Sequence, residues 1–302
     1  MSEHYPRIRI RTEGGHLLIR EGLSINFYMR RSHAEVAPAV MRSLDAYLRA
    51  MEPRALGLYA AEGEWRELDD EGWASTRRRI LDGTSAIVDL RDASGSENRY
   101  RVEYYGRPLD APSWGERPGM VCALSFWLPT EYLEEHGPAR LCELVLELAD
   151  PLPFSSGHAG LSFNCETDVV GVTQEIRHRS FRYPGLDIPN LSRFSRYLGT
   201  RVRGPSWMTF LGQPVLGELG GVGGLRSRLH SPETTVRELE GERAVVTLGP
   251  WPEAGDTEQG QVLPAYRELA RVLEPWLYHQ KPLFNPHFTA EDVLRWERRF
   301  LD

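Results

Sequence analysis

The chain has 302 residues, with 36 basic and 43 acidic side chains, a formal charge of −7 and 41% hydrophobic residues. An apolar fraction of this size, with 8 Trp, 12 Tyr and 10 Phe, supplies a sizeable core and excludes wholesale disorder. No run approaches the roughly 18 consecutive apolar residues of a membrane-spanning helix, and the first residues alternate charge with apolar side chains, unlike a signal peptide. Cys122, Cys142 and Cys165 are odd in number, widely spaced and set among apolar residues, which argues against a disulfide framework. The expected setting is a reducing cytoplasm.

The charge is unevenly spread. Residues 1–150 hold 19 Arg against 25 acids, whereas residues 151–302 hold 17 basic residues against 18 acids. Nearly all of the excess acidity therefore lies in the first half. Lys281 is the only lysine, a bias that codon usage in a GC-rich genome explains without any selective use of guanidinium groups.

In chain order, Arg7 to Thr12 and His16 to Arg20 read as strands joined at Gly14-Gly15. A further strand, Leu23 to Arg30, is expected after a connection at Gly22. From His33 the period changes: Val36, Val40, Met41, Leu44, Tyr47, Leu48 and Met51 recur at spacings of three and four. That pattern predicts an amphipathic helix with Ser32 as N-cap, ending before Pro53. Strands are expected at Ser85 to Arg91, Arg99 to Arg107 and Met120 to Leu128, with a polar turn over Asp92 to Asn98. A helix over Gly137 to Leu148 stops at Pro151 and Pro153.

The second half alternates less regularly. A strand is expected near Gly160 to Cys165, helices near Val169 to Arg179 and Leu191 to Leu198, and a strand at Trp207 to Leu211. A hairpin turns at Gly241 between Val236 and Leu248, and helices near Leu263 to Leu277 and Ala290 to Leu301 finish the chain. The fold class is α+β: a largely antiparallel or mixed sheet with amphipathic helices packed on it. No long linker interrupts the chain, so residues 1–302 read as one body, with 1–150 and 151–302 as the natural subdomains. One echo hints at two repeated halves, since Gly22-Leu23-Ser24-Ile25-Asn26-Phe27 and Gly160-Leu161-Ser162-Phe163-Asn164-Cys165 share a pattern.

Catalytic and metal signatures are missing. There is no Cys-x-x-Cys, no His-Glu-x-x-His and no Gly-x-Ser-x-Gly. His158 and Cys165 are separated by an odd number along a strand, which puts them on opposite faces. Ser155-Ser156-Gly157-His158 reads as a turn with satisfied hydroxyls. The glycine run from Gly217 to Gly224 lacks the Gly-Lys-Ser/Thr of a phosphate loop and reads as a junction between two short helices. No metal and no cofactor are expected.

Two charge constellations remain. Glu62-Gly63-Glu64-Trp65-Arg66-Glu67-Leu68-Asp69-Asp70-Glu71-Gly72-Trp73 carries six acids, one base and two indoles. It reads either as a solvated loop leading into a helix or as a docking segment for a basic partner, in which aromatic anchors bind and charge steers. The candidate contact residues are Glu62, Glu64, Trp65, Glu67, Asp69, Asp70, Glu71 and Trp73. Conversely, Arg177, Arg179, Arg182, Arg193, Arg196, Arg201 and Arg203 surround a single acid, Asp187, with Phe181, Tyr183, Phe194 and Tyr197 interleaved. Such a stretch suits nucleic acid or phosphate. Alternatively, these arginines sit on solvated helix faces or pair with the acidic first half.

The segments Tyr183-Pro184-Gly185-Leu186-Asp187-Ile188-Pro189, Gly199-Thr200-Arg201, Gly204-Pro205-Ser206-Trp207, Phe210-Leu211-Gly212 and Leu219-Gly220-Gly221, with Pro153 to Gly160 before them, resemble the bacterial type VI immunity family called TsiV-like. The resemblance runs over most of the chain and is strongest from about residue 150 to 280. It implies a non-enzymatic protein that binds a cognate effector toxin, a nuclease delivered by a contact-dependent secretion system, and blocks its active site in the cytoplasm. It supplies no catalytic residues. The alternative is a nucleic-acid-binding or regulatory protein that uses the arginine-rich 177–203 segment.

Overall fold

Leu17–Met29 forms one uninterrupted strand, β2, in the computed structural model, which describes residues 3–93, 97–111, 117–167, 169, 171–279 and 287–302. The expected connection at Gly22 is absent. The glycine instead permits a close approach, because a Cβ there would overlap the carboxamide of Asn164 on the neighbouring strand. The Gly14-Gly15 turn does connect, joining β1 (Arg9–Arg11) antiparallel to β2.

Helix α1 (His33–Ala50) follows its apolar period, burying Val36, Val40, Leu44 and Tyr47. At its start the backbone N–H of Ser32 donates to Glu35 Oε1 at 3.1 Å. Strands β3 (Leu58–Ala61) and β4 (Glu64–Glu67) come next, then α2 (Asp70–Leu81). The meander β5 (Ala86–Arg91), β6 (Arg101–Gly106) and β7 (Cys122–Pro129) lies where alternation places it. Within the expected turn between β5 and β6, residues 94–96 fall outside the described residues. Helix α3 (Thr130–Ala149) begins at Thr130 rather than Gly137, since Gly137-Pro138 marks a break inside it, not its start.

Strand β8 (Ser156–Cys165) also starts earlier than expected, so Ser156-Gly157-His158 is strand and not turn. After it come α4 (Val172–Ser180), α5 (Leu191–Tyr197) and β9 (Met208–Leu211). The glycine run divides α6 (Val215–Glu218) from α7 (Gly221–Arg226). Hairpin β10 (Thr234–Leu239) and β11 (Arg243–Leu248) precedes α8 (Pro264–Leu273) and α9 (Ala290–Glu297).

Among the described residues the strands form one antiparallel sheet in the order β10-β11-β9-β8-β2-β7-β6-β5-β3-β4, with β1 beside β2. Helices α1, α2 and α3 pack on one face. Phe27, Leu44, Tyr104, Phe126, Phe163 and Phe210 belong to the main core cluster. A smaller cluster of Tyr28, Val121, Ala123, Leu191, Phe194, Leu198 and Tyr278 gathers Leu191 and Phe194 of α5 against β2 and β7.

The two echo segments are antiparallel neighbours. Leu23 faces Leu161, Gly22 faces Ser162 and Ser24 faces Gly160, so the shared pattern is arranged about a local two-fold centre. Beyond that pair the halves differ. The strand beside β2 is β7, last of its meander, whereas the strand beside β8 is β9, first of its group.

Asn164 is fully buried and donates to the carbonyl of Leu128 at 3.3 Å while accepting from Ser162 at 2.6 Å. A methyl at position 22 must displace it. Gly22→Ala is expected to lower the unfolding free energy by about 2 kcal/mol, read as a lower urea midpoint with an unchanged slope. An unchanged midpoint would show that Asn164 yields at no cost.

Candidate binding surfaces

Strand β4 is the terminal strand of the sheet, and all four of its residues are exposed. It pairs with β3 from Ala61 opposite Glu64 to Leu58 opposite Glu67. The turn is made by Glu62 and Gly63, at φ 54° and 84°, as a two-residue hairpin of type I′ requires. The acidic segment is thus a hairpin, where the sequence suggests a loop. Arg66 pairs with Glu62 at 2.9 Å, and the Arg91 guanidinium lies 4.0 Å from the centre of the Trp65 ring. Trp65 is nevertheless 42% exposed.

The remaining acids of the segment have local roles. Asp69 caps α2 by accepting from the N–H of Gly72 at 2.8 Å. Asp70 and Glu71 occupy the first turn, where carboxylates complement the helix dipole. Trp73, expected as a second exposed indole, is half-buried against the core. The structure therefore groups Glu62, Glu64, Trp65 and Glu67 on the hairpin and Asp69, Asp70 and Glu71 beside it, and turns Trp73 inward.

The seven arginines of 177–203 separate into two sets. Arg177 pairs with Asp292 at 2.7 Å, Arg182 with Asp256 at 2.8 Å and Arg203 with Glu297 at 3.1 Å. Arg179 pairs with Glu175, and Arg201 donates to the carbonyl of Pro275 at 2.5 Å. These partners all lie in the second half, so for these five arginines no pairing with the acidic first half is seen among the described residues. Arg193 and Arg196 instead line a cavity beside α5.

Two polar clusters lie on the sheet without any local sequence signature. In the first, the Nε2 of His158 is 3.0 Å from Asn26 Nδ2 and 3.2 Å from Asp187 Oδ2. Arg203 joins Asp187 at 3.5 Å to Glu297. Burial alone would raise the Asp187 carboxyl, but Arg203 and the hydrogen bond from His158 hold it well below the usual carboxylate range. In the second, Arg101 reaches Asp89 at 2.7 Å, Glu103 at 3.2 Å and Glu166 at 3.0 Å, and Arg91 also meets Glu166 at 3.0 Å. Arg101 stacks 4.9 Å from the Trp127 ring. Two arginines flanked by Trp65 and Trp127 thus thread three carboxylates, from the exposed edge of the sheet to its buried middle.

These clusters are ion-paired rather than poised around a nucleophile. Ser155 and Ser156 donate their hydroxyls to the carbonyls of Tyr28 and Arg201. Burial pushes the thiols of Cys122 and Cys142 up to about 11, away from thiolate reactivity. Among the described residues no group of three or more His, Cys, Asp or Glu is arranged to hold a metal ion, and no helix is long and apolar enough to cross a membrane.

Residues 39–300 match the TsiV family, described as type VI immunity for VRR-NUC. The chain belongs to this family. No curated protein matches it in sequence. Its fold is similar to that of a solved type VI secretion system protein of Pseudomonas aeruginosa, with a TM-score of 0.78 and 20% identity, over 98% of this chain and 88% of that one. The motifs by which the sequence resembles TsiV proteins are mostly interior. Leu186, Asp187, Trp207, Phe210, Leu211 and Leu219 are all buried. Gly185 is packed so closely on the carbonyl of Glu253 that no Cβ would fit. In this TsiV member the recognisable residues therefore build the scaffold and the Asp187 network, and the exposed hairpin lies outside them.

Burial pushes the Glu103 carboxyl up to about 7 against the attraction of Arg101. The folded chain then binds this proton more tightly than the unfolded chain does, whose carboxyl titrates near 4.3 by the model-peptide value, about the usual figure for glutamate. The stabilisation is complete below that value and is lost as pH rises through about 7. Glu103→Gln mimics the protonated form. It is expected to match the parent in urea unfolding at pH 4 and to exceed it at pH 8 by roughly 1–3 kcal/mol. A difference that does not change with pH would contradict this reading.

Proposed function

We propose that this TsiV-family protein binds one cognate type VI-delivered nuclease in the cytoplasm and neutralises it by covering its active site. The observation that carries this reading is the family match over residues 39–300, whose description names the nuclease class. Occlusion requires no chemistry from the inhibitor, only a surface that competes with nucleic acid. A nuclease presents a basic groove to its substrate, and an acidic surface on its inhibitor is both complementary to that groove and steered toward it.

The hairpin from Glu62 to Glu67, continued by Asp69, Asp70 and Glu71, is the surface we assign to this contact. Its acids flank in sequence an indole that is 42% exposed. Tryptophan is the side chain most often found as an energetic anchor in interfaces. Charge around such an anchor raises the association rate, while the anchor itself governs dissociation.

Co-expression with the cognate nuclease should restore growth, and the two purified proteins should form a complex. Glu64→Arg, Glu67→Arg and Asp70→Arg introduced together are expected to slow association at least tenfold and to flatten its dependence on salt. Trp65→Ala is expected to speed dissociation by about 30-fold, equivalent to roughly 2 kcal/mol. Unchanged affinity and salt dependence in the triple variant would remove the hairpin from the interface. Absence of both rescue and complex would remove the function itself.

A further inference from the structure

Strands β4 and β10 end the sheet, and their outer edges are finished differently. On β10 the carbonyl of Val236 accepts from the Arg226 guanidinium, at the end of α7, at 3.2 and 2.9 Å. The chain thus covers part of that edge itself.

On β4 the ladder fixes which backbone groups face outward. The two-residue turn makes Ala61 and Glu64 a hydrogen-bonded pair, and the N–H of Leu68 donates to the carbonyl of Gly57 at 2.8 Å. By alternation Glu64, Arg66 and Leu68 direct their backbone groups at β3, whereas Trp65 and Glu67 direct theirs away from it. The carbonyl of Glu67 lies close to α2, where a Cβ on Gly72 would come within 3.2 Å of it. The N–H and C=O of Trp65 and the N–H of Glu67 have no hydrogen-bond partner among the described residues. All four residues of β4 are exposed, so these three groups stand at an open edge.

We propose that the cognate nuclease contributes a basic, extended strand that pairs antiparallel with β4 and lengthens the sheet, a contact that rests on the reading of this hairpin as the toxin-binding surface. Main-chain bonds supply affinity in such an addition, and alternate side chains supply specificity. Charge selects the occupant. From Glu62 to Glu71 the segment carries six acids and one base, so a second copy would bring like charge to the edge, whereas a strand from a basic groove brings the opposite sign. Cross-strand pairing then constrains the added strand. Its residues opposite Glu67 and Glu64 are basic and the one opposite Trp65 is apolar, which in its own chain order reads basic-x-apolar-basic.

Proline at position 67 isolates the backbone contribution. It removes the outward N–H without touching a bond to β3, a placement that edge strands tolerate. In surface plasmon resonance with the purified cognate nuclease, Glu67→Gln, which removes only the charge, is expected to weaken the complex by no more than about threefold. Glu67→Pro is expected to weaken it by about a further tenfold or more, because a carbonyl of the partner is left unpaired, chiefly through faster dissociation. If Glu67→Pro fails to melt cooperatively, amide hydrogen exchange of the parent decides. In the free chain the amides of Trp65 and Glu67 should exchange freely and that of Arg66 slowly; complex formation should slow the first two by about a hundredfold.

Equal affinity of the Pro and Gln variants, or exchange at Trp65 and Glu67 that is unchanged in the complex, would overturn strand addition while leaving toxin binding intact. Protection of these amides that grows with the concentration of the chain alone would assign the edge to a second copy and overturn it as well. If the parent forms no complex with the nuclease, toxin binding itself fails, and strand addition with it.

Discussion

The antiparallel pairing of β2 with β8 is the constraint on which the rest of the molecule depends. It joins the two halves of the chain at the middle of the sheet, from Ile19 opposite Cys165 to Tyr28 opposite Ser156. Both strands are almost wholly buried, yet in their paired middle apolar residues alternate with polar ones or glycine. Leu23, Ile25, Phe27, Leu161 and Phe163 enter the main core, while Ser24, Asn26, His158, Ser162 and Asn164 carry polar groups into an interior where unpaired ones are costly. Short-range bonds satisfy part of this demand, such as Asn26 to Ser24 at 3.2 Å.

A further part is met from far along the chain, and this explains the architecture of the second half. Asp187 extends the outer edge of β8 past the end of β9, its N–H donating to the carbonyl of Leu161 at 2.8 Å and its carbonyl accepting from Phe163 at 2.9 Å. That backbone attachment aims its carboxylate at His158. Arg203 then neutralises the carboxylate, and Glu297 of α9 accepts the other side of Arg203. The C-terminal helix is thus positioned by a chain of charge that starts at a histidine on the central strand. Removing one member would leave its partner buried and charged, which is more damaging than never having had the pair.

Elements whose local period agrees with their final environment were legible in the sequence. Helix α1 and strand β5 have one face toward the core and one away from it, which is the condition for a clean pattern, whereas β7 is buried on both faces and was legible as a continuous apolar run. Patterns misled where a residue answers to tertiary contact. Gly22 reads as punctuation because its reason for being glycine, Asn164, is distant in sequence. Gly137-Pro138 reads as a helix start, although it interrupts a helix already begun. The acidic hairpin was invisible because β4 has no buried residue to alternate with exposed ones. The clusters around Asp187 and Glu103 were hidden for a related reason, since each draws its members from four or more separate segments. A lone acid among seven arginines was the one trace of the first cluster, and it pointed inward.

Charge at the terminal strand admits a purely structural explanation, and the choice between it and docking turns on Trp65. Exposed edge strands invite pairing with other chains, and charged side chains are a common protection against it. Glu64, Arg66 and Glu67 would serve that purpose unaided. A large indole left 42% exposed works against it, because it adds apolar surface at the very edge that the charges defend. Nor is the indole needed to fill a gap in the core: its ring is met by Arg91, which Asp89 and Glu166 already hold from behind. That arrangement keeps the ring rigid and accessible at once, so little conformational freedom would remain to be lost when a partner covers it. An edge guarded by charge alone would have no use for such support, and it is this held indole that favours docking over simple protection.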